Sequence, residues 1–94
     1  MSDCSNHKKE VAGISDMKVL AEMIGDLHYE TLSTLLYHLS DKFYIDGRKD
    51  LSAGRKRLGE ALYDAQLTMH RTHQHIDKAY KHSAPFMKEE NPQP

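Results

Sequence analysis

From Asp50 to Ser83 the chain carries no proline, and Leu51, Leu58, Leu62, Ala65, Met69, Ile76 and Tyr80 recur at spacings of seven, four, three, four, seven and four. Such spacing keeps side chains on one stripe of an α-helix, so it predicts a helix over about 50–83 with one buried face. Pro85 disfavours helical geometry in the residue before it and supplies the stop. Upstream, Met17, Leu20, Ile24, Leu27, Thr31, Leu35 and Leu39 trace a second stripe. They predict a helix over about 16–45, opened by Ser15 or Asp16 as N-cap and closed by Asp46-Gly47, with Gly47 at the left-handed C′ position. Gly25 is the weak point of that helix, because glycine costs about 1 kcal/mol against alanine in a helix interior.

Gly47-Arg48-Lys49-Asp50 is a connection too short to do more than turn the chain back, with Asp50 as N-cap of the following helix. The expected fold class is therefore all-α, an antiparallel two-helix hairpin. Tyr29, Leu32, Leu36 and Phe43 broaden the apolar face of the first helix beyond what one partner helix covers. That excess points to a homodimer closing into a four-helix bundle, its interface built from Leu51, Leu58, Leu62, Ala65, Met69 and Ile76 with Leu32, Leu36 and Phe43. Gly54, Ala61, Ala65, Thr68, Thr72 and Ala79 line an edge where small side chains admit a close neighbour. Residues 1–14 read as a disordered polar arm, 15–87 as the helical domain and 88–94, with two prolines, as a disordered tail. Phe86 and Met87 are placed to cap the open end near Ile14 and Met17.

Composition sharpens this in three ways. At 94 residues a single core is small and self-association is a common remedy. Thirteen basic residues against fourteen acidic ones, a formal net charge of −1, exert no overall pull toward nucleic acid or an anionic membrane. Cys4 is the one cysteine, which excludes an intrachain disulfide and suits a reducing compartment. With no apolar run of signal-peptide or bilayer-spanning length, the expectation is a soluble cytoplasmic protein without a membrane partner.

Seven histidines are the unusual count. His70 and His73 are three apart and share a helix face, and a turn near residue 48 sets level those positions whose numbers sum to about 96. Asp26 would then oppose His70 and Glu22 would approach His73, while His28 sits on the apolar face. His28, His70 and His73 are therefore the metal-ligand candidates, for zinc, iron or nickel. The chain has no Glu-x-x-His motif, so the plainer reading leaves His28 and His73 as hydrogen-bonded edge residues. Glu22, Asp26 and Glu30, like Glu60 and Asp64, stand at four-residue intervals opposite the apolar stripes, where solvent is their partner. Arg48, Lys49, Arg55, Lys56 and Arg57 crowd the turn and could hold phosphates, though no aromatic residues interleave with them to stack on bases. Cys4 and His7 lack the orienting third group that nucleophilic catalysis requires. The functional expectation is a non-enzymatic interaction or regulatory module, homodimeric, with an unidentified protein partner and no cofactor. The alternatives are a transition-metal bundle on His70 and His73, and a nucleic-acid adaptor on the basic turn.

Overall fold

The computed structural model describes the backbone of residues 7–90 and the side chains of 7–83 and 85. Their regular structure is all helical apart from one isolated bridge between Val11 and Ile14, in the order α1 (Met17–Gly25), α2 (Tyr29–Ser52) and α3 (Lys56–Glu90). No helix among them is long and apolar enough to cross a membrane. The first residues of the polar arm, 1–6, the last of the tail, 91–94, and the capping side chains of Phe86 and Met87 lie outside the described residues.

The helix expected over 16–45 is instead broken, and it ends later. Asp16 caps α1, its Oδ1 accepting from the backbone N–H of Lys18 at 3.0 Å and of Val19 at 3.3 Å. The chain leaves α1 at Gly25 with Asp26 as C-cap, and His28 then caps α2, its Nδ1 accepting from Glu30 N–H at 3.2 Å. Glycine's low propensity supplies the break and the imidazole rewards a new start.

Two turn assignments also change. Gly47 lies inside α2 rather than at its C′ position, and the left-handed glycine is Gly54, at φ +86°. Asp50 is no N-cap. It sits in the last turn of α2, where its carbonyl accepts from Arg55 N–H at 2.8 Å and its carboxylate accepts from Arg55 Nε at 2.9 Å. Leu51 accordingly belongs to α2. Nor does α3 stop at Ser83: it passes Pro85 and takes in 88–90, residues the sequence assigned to the tail. Proline's fixed φ is itself helical, so the helix can continue, at a cost of about 3 kcal/mol for the missing N–H and for its ring crowding the carbonyl one turn earlier.

The α2 and α3 helices pack directly against each other. Ser33 meets His73, Ser40 meets Gln66, and Gly47 meets Gly59 and Tyr63. The partners step in opposite directions by seven residues on each helix, which is the heptad repeat of closely neighbouring helices. Level positions therefore sum to 106, as in 33 with 73, 40 with 66 and 47 with 59. The register shifts because the turn lies beyond Ser52.

This contact line is not the leucine stripe. At about 100° per residue, Leu62, Met69, Leu58 and Ile76 lie about 40–80° to one side of Gln66, while Leu36, Phe43, Leu32 and Leu39 lie about 40–100° to one side of Ser40. In antiparallel neighbours, offsets of the same hand fall on the same side of the pair, so both stripes line one flank. Phe43, Leu58 and Leu62 do share a cleft there. The small-residue edge expected to receive a neighbour does not face α2. Thr68 and Thr72 bond their own preceding turns, and Gly54 lies in the connection.

Candidate functional site

The apolar flank is the largest feature left unsatisfied. Among the described residues Leu32, at 8% exposure, is the one large apolar side chain that is buried. Leu36, Phe43, Leu51, Leu62, Ala65, Met69 and Ile76 are half-buried. Leu58 is 43% exposed, and Leu35 and Leu39 are nearly as open. The short α1 adds Met17, Val19 and Met23 to the exposed apolar surface and contributes no buried residue. All nine residues expected at an interface are thus placed: eight line the flank or its margin, and Leu51 packs at the contact line against Gly59.

The opposite flank carries rings. Tyr44 and Tyr63 stack with centroids 5.6 Å apart and planes 20° apart, and the Arg48 guanidinium lies 5.9 Å over the Tyr44 ring. Tyr37 touches the rings of both His38 and His73 at 5.5 Å, and His70 adjoins His73 at 5.6 Å. This cluster was not anticipated. Tyr44 and Arg48 are four apart on α2 and could have been paired from sequence, but Tyr63 joins them only through the register between helices.

His73 is held in one orientation. Its Nδ1 lies 2.9 Å from the Ser33 carbonyl oxygen and 3.0 Å from Ser33 Oγ, while Ser33 Oγ donates to the His73 carbonyl at 3.4 Å. A carbonyl can only accept, so Nδ1 is assigned a proton. His28 does not join this pair: its ring sits against Tyr80 at 5.5 Å, near the start of α2. The altered register also removes the juxtaposition of Asp26 with His70, since Asp26 caps the end of α1. No group of three His, Cys, Asp or Glu among the described residues could hold a metal ion.

The basic turn is partly spent on structure. Arg55 Nη2 lies 2.8 Å from the Asp50 carboxylate, whose side chain is 11% exposed, and Arg48 rests on Tyr44. Lys49, Lys56 and Arg57 remain at the surface. Arg48 and Lys49 also border a shallow depression with Ile45, Ser52 and Ala53 at the end of α2. The chain matches no family model, no curated protein and no solved structure. Its reading rests on these faces alone.

Proposed function

We propose that the protein is a non-enzymatic interaction module whose helical hairpin, α2 with α3, self-associates through the apolar flank into a four-helix bundle. The observation that carries this reading is that, among the described residues, a single large apolar side chain is buried while a row of leucines on one side stays open. A fold normally sets a second layer against such a face. A two-fold dimer needs a self-complementary patch, and a predominantly aliphatic flank is self-complementary without charge matching.

Sedimentation velocity across a concentration series tests the reading. A dimer that Leu39→Glu converts to monomer is the expected result, and a wild-type chain that stays monomeric at every concentration would refute it. Native mass spectrometry of chelator-free protein reads subunit number and bound ions together. A dimer carrying stoichiometric transition metal would instead favour the His70 and His73 pair as the functional centre.

A further inference from the structure

Resting on that self-association, we infer that His7–Ile14 is a displaceable strap that competes with the second copy for the apolar flank. His7 and Lys8 line a cleft of about 600 Å³ together with Phe43, Leu58 and Leu62, three of the residues assigned to the dimer surface, and with the charged Lys42, Asp46, Lys49, Asp50 and Arg55. Strap and second copy cannot occupy that cleft together.

The strap meets the flank through His7 and Lys8 without becoming part of it. Residues 7–13 are all exposed, so it adds no core. The backbone groups of Val11 and Ile14 are spent on each other, Val11 N–H donating to Ile14 O at 3.0 Å and Ile14 N–H to Val11 O at 2.8 Å. This tight turn holds Ala12 at φ 52° and Gly13 at φ 80°, and the chain is next fixed at Asp16, the cap of α1. The strap therefore departs from an anchored point through a left-handed turn. Leu58 stays 43% exposed beside it, so the cover is partial, and a second copy brings matching leucines to the apolar part that it leaves open. The consequence is a tax on dimerisation: because both copies must be open at once, the apparent dissociation constant rises by the reciprocal square of the fraction of time the flank is uncovered.

Cys4 gives a probe in the intact chain. As the single cysteine, three residues ahead of His7, it can carry a nitroxide within about 11 Å of that residue. In dilute protein the amide signals of Phe43, Leu58 and Leu62 are expected to be broadened, and to recover as rising concentration forms the dimer. Leu39→Glu, held monomeric, keeps the broadening throughout. Broadening that persists in the wild-type dimer overturns the strap and leaves self-association standing, and so does monomer without broadening. A chain that never dimerises overturns the self-association itself, and the strap's role with it.

Discussion

Three glycines do different work in this chain. A Cβ on Gly59 would lie 2.6 Å from Leu51 Cγ and 3.0 Å from the Gly47 carbonyl oxygen, whereas one on Gly25 would meet nothing within 4 Å. Gly59→Ala is therefore expected to destabilise by about 1–3 kcal/mol, as overpacking does. Gly25→Ala, with no such contact, should be neutral or up to about 1 kcal/mol stabilising through propensity. Urea midpoints at unchanged m-value read both, and a Gly59→Ala protein as stable as wild type would mean that the helices do not meet there. Gly54→Ala is costly for another reason, since its φ of +86° is open to few side chains. At His73 the expectation is spectroscopic: ring ¹⁵N shifts should show Nδ1 carrying a proton, and a bare Nδ1 would remove the bond to the Ser33 carbonyl.

At the scale of elements, the three helices owe their existence to different causes. With nine residues, α1 is below the about 12–15 that an isolated helix needs, and it buries nothing. It depends on its cap. Asp16→Ala is expected to cost α1 about 1 kcal/mol, read as lost amide protection over residues 19–25. Protection in α2 and α3 should be unchanged, and their joint loss would mean that α1 is integral to the pair. In contrast, α3 is long enough to carry a defect. Pro85→Ala restores the missing N–H to the Lys81 carbonyl, so slower amide exchange around residues 81–88 is expected, and unaltered exchange would show that the helix there gains nothing from that bond.

For the whole molecule, the expectation is that stability and assembly are one quantity. Where a monomer keeps its leucines open, folding free energy is supplemented by association, and the melting temperature rises with protein concentration. Leu39→Glu should abolish that dependence while leaving far-UV helicity near the wild-type value. A melting temperature independent of concentration in the wild type would place the flank's partner outside this chain. The elongated outline, 53 × 28 × 16 Å, follows from the length of α3 and leaves the flank accessible along the pair.

Periodicity alone determined that the chain is all-α, where its two principal stripes lie, and which leucines and aromatics belong to an apolar face. Those are local properties, written in spacings of three, four and seven. It also marked Gly25 as a weak point and Asp16 as a cap. Only the tertiary structure decided that Gly47 is a contact residue facing Gly59 rather than a helix stop, because a glycine in a close helix crossing and a glycine in a turn look alike until the neighbour is present. With the turn moved beyond Ser52, the level positions changed and the carboxylates left the histidines. The contact line itself runs through Ser33, Ser40, Gly47, Gly59, Gln66 and His73, mostly small or polar residues that hydropathy assigns to solvent. Backbones approach most closely where side chains are small, so the leucines were turned aside onto the flank that the proposed second copy would cover.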